Sequence, residues 1–199
     1  RARPFAVRGL AFKPDPDDMR EAPSRAIVAG LLRAGARVVA HDPVAREQAS
    51  RALEQDLACE PRLLDQLCYA ERPVDALEGV DALLLLTEWK HYRAMSPATL
   101  KRTMRTPLVF DGRNLWDPQQ LAAAGVAYIG IGRSNLALLE ANGQSGQAVQ
   151  AVQAVQAAQV AQVAQVAQVA ASAQQLALSK NKLRSAPSPI AAQSTLPAG

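Results

Sequence analysis

Residues 9–24 of this 199-residue chain read GLAFKPDPDDMREAPS, a short stretch crowded with charge. An apolar run closes there on Phe12 and Lys13, and Asp17, Asp18 and Arg20 lead into a helix-forming segment. A helix N-terminus offers free N–H groups and the positive end of a dipole, which suits a phosphate. A lysine at the strand mouth adds a point charge beside it. A competing reading has Asp17 or Asp18 capping the helix, with Lys13 and Arg20 as solvated loop charges. Residues 110–117, FDGRNLWD, put Arg113 just past a strand and a glycine, within reach of the same rim as Lys13. Arginine is the better bidentate partner for phosphate; the alternative pairs Arg113 with Asp111 or Asp117 to fix a turn.

Other chemistry is thinly represented. Trp89 and Tyr92, in TEWKHY, suit packing over the sheet better than stacking on a base. His41-Asp42 ends a strand where a dinucleotide-binding fold places a ribose-binding acid, but Gly9 stands without the rest of a GxGxxG fingerprint, so a turn is the simpler role. Neither histidine has an activating serine or cysteine beside it. Cys59 and Cys68 lack zinc-ligand spacing and read as free thiols in a reducing compartment. No catalytic residue and no metal ligand is assigned.

The elements needed to position Lys13 and Arg113 follow from hydrophobic patterning. Phe5–Phe12 reads as a buried strand, Pro23–Ala34 as a helix ended by Gly35, and Ala36–Asp42 as a second strand. Residues 44–56 form an amphipathic helix. Residues 58–78 are an irregular connection with a helix at Pro73–Glu78. Residues 81–87, DALLLLT, are a strand buried on both faces. A helix over 97–105, a strand at 108–110, a helix over 118–124 and a strand at 126–129 complete the pattern. Strand and helix alternate, which predicts an α/β fold: a Rossmann-like parallel sheet with helices on both faces. In such sheets ligands bind outside the C-terminal strand ends.

Composition divides the chain. All eight aromatic residues lie between Phe5 and Tyr128, and large side chains supply most core burial. The expected domain is 1–133, with 134–199 as a low-complexity tail. Residues 147–169 contain only Gln, Ala and Val, mostly as triplets, which favours a helical or disordered segment without a coiled-coil seam. Residues 185–199, rich in Ser, Pro and Ala, read as disordered. The net charge of +4 is dispersed, which argues against nucleic acid. No apolar run is long enough for a membrane span or a signal peptide, so the chain reads as cytoplasmic.

Five segments in order, GLAFKPDPDDMREAPS, GARVVAHDP, ALEGVDALLLLTEWKHY, PLVFDGRNLWDP and YIGIGR, resemble the C-terminal, UDP-sugar-binding domain of the UDP-glucose/GDP-mannose dehydrogenase family, most closely its UDP-glucose 6-dehydrogenases. The resemblance covers residues 4–133. It implies two Rossmann-like domains joined by a central helix that also forms the dimer. It also implies an NAD-dependent double oxidation of UDP-glucose to UDP-glucuronate through a cysteine thiohemiacetal and thioester. Phe12 and Lys13 match the strand-end pair that contacts the UDP-sugar. Arg113 matches a substrate-binding arginine, and Arg20 one that reaches an NAD held mainly by the other domain. The NAD domain and the segment with the catalytic cysteine have no counterpart among these residues, and Arg8 stands in a core strand where an apolar side chain is expected. The chain is therefore expected to be inactive alone. The alternatives are a non-catalytic UDP-sugar module, a decayed fragment, or a relative acting on GDP-mannose or UDP-N-acetylmannosamine.

Overall fold

The computed structural model describes residues 2–141 and Gly143; the expectations for 147–169 and 185–199 lie outside them. Strands β1 (Pro4–Arg8), β2 (Arg37–His41), β3 (Leu67–Tyr69), β4 (Ala82–Leu85), β5 (Leu108–Asp111), β6 (Ala127–Gly130) and β7 (Arg133–Ser134) form one sheet in the order β3-β2-β1-β4-β5-β6-β7. All pairs are parallel except the closing β6–β7 hairpin. The helices are α1 (Pro23–Arg33), α2 (Arg46–Asp56), α3 (Lys90–Arg93), α4 (Pro97–Thr103), α5 (Pro118–Ala123) and α6 (Leu136–Ala141).

Alternation along the strands feeds two layers. Val7 packs with Val28 and Leu32 of α1 and Ala49 and Leu53 of α2 on one face. Ala6, Leu83, Leu85 and Val109 pack with Tyr92 of α3, Leu100 of α4 and Leu121 of α5 on the other. The chain runs outward from β1 to β2 and β3, then returns to place β4 on the other side of β1. That reversal makes the C-terminal ends of β1 and β4 the topological switch point, where the diverging loops leave a crevice.

Several local expectations are corrected. The first strand ends at Arg8, not Phe12, because Gly9 turns the chain at φ +80°. Its N–H donates to the His41 carbonyl (2.9 Å), and a Cβ there would lie 2.6 Å from the Thr87 nitrogen. Only glycine allows β1 and β4 to leave the sheet this close together. The expected helix at Pro73–Glu78 is a 3₁₀ turn, Asp75–Leu77, and β3 forms upstream of it. All three β3 residues are half-buried, so no alternation marked it; pairing with β2 holds it. Neither Asp17 nor Asp18 caps α1: the N-cap is Ala22, with Pro23 opening the helix. The compact part also runs past residue 133. Leu139 of α6 packs on Leu108 and Ala127, and buried Asn135 accepts from the Tyr128 N–H (2.8 Å) while donating to the Pro118 and Val126 carbonyls.

Arg8 is the exception in the core. It is fully buried. It donates to the Pro73 carbonyl and to Met95 Sδ (3.1 Å), and its guanidinium carbon lies 5.4 Å from the Tyr92 ring centroid. Among the described residues no carboxylate pairs with it and its Nε–H has no acceptor. Burial lowers its pKa to about 10. Neighbouring His41 is held below its ordinary value by burial, then by Arg8 and His91. The Tyr92 hydroxyl donates to the His41 carbonyl (2.9 Å), so it must accept from Nδ1 (2.8 Å), which fixes the Nδ1–H tautomer.

A buried, incompletely bonded guanidinium costs more than an apolar chain of similar length. Arg8→Met is expected to raise stability by about 1–3 kcal/mol in urea unfolding and to move the His41 titration upward by NMR; a loss of stability would contradict this. In the parent chain, unfolded His41 takes up a proton near 6.5 while the folded form resists it. Stability should therefore fall as pH drops below that value, read as a lower urea midpoint.

Candidate functional site

The rim around the switch point is built first by a carboxylate. Asp42, buried at the end of β2, accepts four backbone N–H groups. Oδ2 takes Leu10 (2.7 Å) and Ala11 (3.3 Å), and Oδ1 takes Val44 (3.0 Å) and Ala45 (2.9 Å). One side chain thus locks the segment after β1 to the segment after β2. Thr87 Oγ1 adds a third attachment by donating to the Ala11 carbonyl (2.6 Å). The next residues, Phe12 and Lys13, project from this platform and are exposed, Phe12 to 47%. The Phe12 N–H donates to the Asp18 carbonyl (3.1 Å), closing the Pro/Asp loop at its base.

Asp42, in the ribose-acid position, has its carboxylate occupied by backbone donors. At the start of α1, Ala22 and Ser24 are buried while Pro23 is exposed, and Ser24 Oγ donates to the Leu10 carbonyl. The loop from Gly9 to Ala22 lies where a glycine-rich turn would admit a pyrophosphate.

Arg113 completes the rim from β5. Asp111 shapes its loop by accepting from the Arg113 N–H (3.0 Å), the Trp116 N–H (3.1 Å) and the Tyr128 hydroxyl (3.1 Å). Asn114 adopts φ +54° and accepts from the Ile131 N–H (2.9 Å). The close seat of this loop on the β6–β7 hairpin needs Gly130, where a Cβ would come within 2.6 Å of the Tyr128 hydroxyl. The Arg113 guanidinium turns inward: Nε–H donates to the Leu86 carbonyl (2.9 Å) and Nη2 to the Phe12 carbonyl (2.7 Å). Phe12 and Arg113 therefore touch across the switch point, with Lys13 next in chain. Neither Asp111 nor Asp117 pairs with the guanidinium; Asp117 caps α5 through the Gln119 N–H. Its ionic partner is Glu88 (3.1 Å), which sequence reasoning missed. The one available signal was an acid shortly after the DALLLLT strand.

Arg20 is placed apart. Its side chain is 88% exposed and bonds Asp18 through Nε and Nη2, each at 3.0 Å. That hydrogen bonding, with smaller help from Lys13, lowers the Asp18 pKa to about 2. Trp89 and Tyr92 are buried in the core, as packing residues. Cys59 follows α2 and Cys68 lies in the edge strand β3, neither at the rim. A cavity of about 480 Å³ opens on the far side of the 111–117 loop, lined by Arg93, Trp116, Gln120 and Arg133 among others. None of Phe12, Lys13, Arg20 and Arg113 lines it. Among the described residues no cluster of His, Cys, Asp and Glu could hold a metal ion, and no helix is long and apolar enough to cross a membrane.

Comparison with known proteins places this geometry in context. Residues 6–118 match the UDP-glucose/GDP-mannose dehydrogenase family, UDP binding domain. UDP-glucose 6-dehydrogenase of Pseudomonas aeruginosa is 46% identical over 133 residues, and that of Rhizobium meliloti 41% over 133. Each match covers 67% of this chain but 28% of the relative, so the chain spans little more than a quarter of these proteins. The fold is shared with NDP-N-acetyl-D-galactosaminuronic acid dehydrogenase from Methanosarcina mazei (TM-score 0.51, 24% identity, 67% of this chain and 25% of that one).

The platform has a direct test. Asp42→Asn presents an NH₂ group to two backbone donors in place of an acceptor. It is expected to cost about 2 kcal/mol and to speed amide exchange at Leu10 and Ala11 or at Val44 and Ala45. Unchanged exchange at all four would show that the carboxylate does not tie the loops.

Proposed function

The chain belongs to the UDP-glucose/GDP-mannose dehydrogenase family as its UDP-binding domain, and from that premise we propose that Phe12, Lys13 and Arg113 form one wall of a nucleotide-sugar site. The observation that carries the reading is the hydrogen bond from Arg113 to the Phe12 carbonyl across the β1–β4 switch point. It draws the FKP and FDGR segments onto one rim, beside the exposed ammonium of Lys13. A guanidinium and an ammonium there match a doubly charged pyrophosphate, and charge-assisted hydrogen bonds are the strong ones. The exposed Phe12 ring offers an apolar face to the sugar or base.

The activity that goes with this wall is the one named for the relatives, oxidation of UDP-glucose at C6, with UDP-glucose as the first candidate ligand. The chain's own contribution is to bind and orient the nucleotide sugar. In this proposal Arg20 reaches toward an NAD carried by residues outside this chain.

Calorimetry of the full chain with UDP-glucose tests the reading. Binding is expected, and Arg113→Leu or Lys13→Met should each weaken it about 10- to 100-fold. Arg20→Leu should leave it unchanged. No heat at millimolar ligand would overturn the assignment. With UDP-glucose and NAD together the chain alone is expected to release no NADH, and measurable release would contradict that division of labour.

A further inference from the structure

The Arg113 guanidinium is held twice over. Its Nε–H and one Nη2–H are fixed by the Leu86 and Phe12 carbonyls, at the ends of β4 and just beyond β1. Of the five N–H groups of an arginine, three are left for a ligand: both on Nη1 and one on Nη2. Both carbonyls belong to segments anchored elsewhere, Leu86 through its N–H to the Arg8 carbonyl (2.9 Å) and Phe12 through its N–H to the Asp18 carbonyl (3.1 Å). Glu88 adds something different. Its Oε2 lies 3.1 Å from Nε, yet that single N–H already points at Leu86. The carboxylate therefore supplies negative charge rather than a bond the guanidinium needs. The pair is partly desolvated, with Arg113 30% and Glu88 45% exposed, so the charge is felt beyond what a fully solvated pair would transmit.

Resting on the reading of Arg113 as the pyrophosphate-binding cation, we propose that Glu88 is a built-in competitor of the ligand, an affinity-limiting residue. It compensates Arg113 while the rim is empty and repels the diphosphate when it arrives. An arginine paired only with carbonyls would hold a nucleoside diphosphate more tightly. Glu88 lowers that affinity and makes it depend on ligand charge: each additional negative charge meets the same carboxylate. The effect is electrostatic, so salt should weaken it.

The test is calorimetry of the full chain and of Glu88→Gln with UDP and UMP at low and high salt. Glu88→Gln keeps the shape and removes the charge. It is expected to tighten UDP binding about fivefold at low salt, to tighten UMP less, and to lose most of the gain at high salt. Equal or weaker UDP binding by the variant, with the parent binding normally, would overturn the proposal and make Glu88 a residue that positions Arg113. Absence of binding by both would remove the nucleotide reading itself and this inference with it.

Discussion

The carboxylate of Asp42 carries the architecture of the rim. Four backbone N–H groups converge on it from two loops that leave adjacent strands. Without such an acceptor those donors would face a buried, unsatisfied end of the sheet. With it, Leu10 and Ala11 lie flat over the end of β1, and Phe12 and Lys13 emerge at a defined place. The same carboxylate is unavailable to a ribose. One interaction thus ties together the two loops that leave β1 and β2 beside the switch point.

The second layer of organisation is made of main-chain carbonyls. Arg113 is oriented by the Leu86 and Phe12 carbonyls, Arg133 by those of Asn114 and Trp116. Carbonyls hold a guanidinium without cancelling its charge. Glu88 is the carboxylate that offsets the charge of Arg113 directly.

The core tolerates one element with no such logic. Arg8 stands where its strand neighbours are apolar and meets only a carbonyl, a thioether and an aromatic face, with its Nε–H left without an acceptor. Burial, and after it the charge of Arg8, hold His41 and His91 below their ordinary pKa values. Only the Arg8 backbone serves the rim, through the carbonyl that accepts from the Leu86 N–H (2.9 Å).

Much of this was legible in the chain itself. Continuous apolar runs such as ALLL mark strands buried on both faces, and Pro23 and Gly35 bracket α1, because each records a local requirement for burial or for a backbone angle. Strand-end positions likewise made Phe12, Lys13 and Arg113 candidates. The short edge strand β3 and the buried anchor Asn135 were not legible, since neither carries a periodic signal and both are stabilised by partners in other elements. The identity of the groups around Arg113 belonged wholly to the tertiary structure. Leu86 and Phe12 are 27 and 101 positions away in sequence. They meet it only because the chain reverses and sets β4 between β1 and β5. A residue's own surroundings leave their mark on composition and periodicity, whereas strand order decides which distant carbonyls and carboxylates a charge will find.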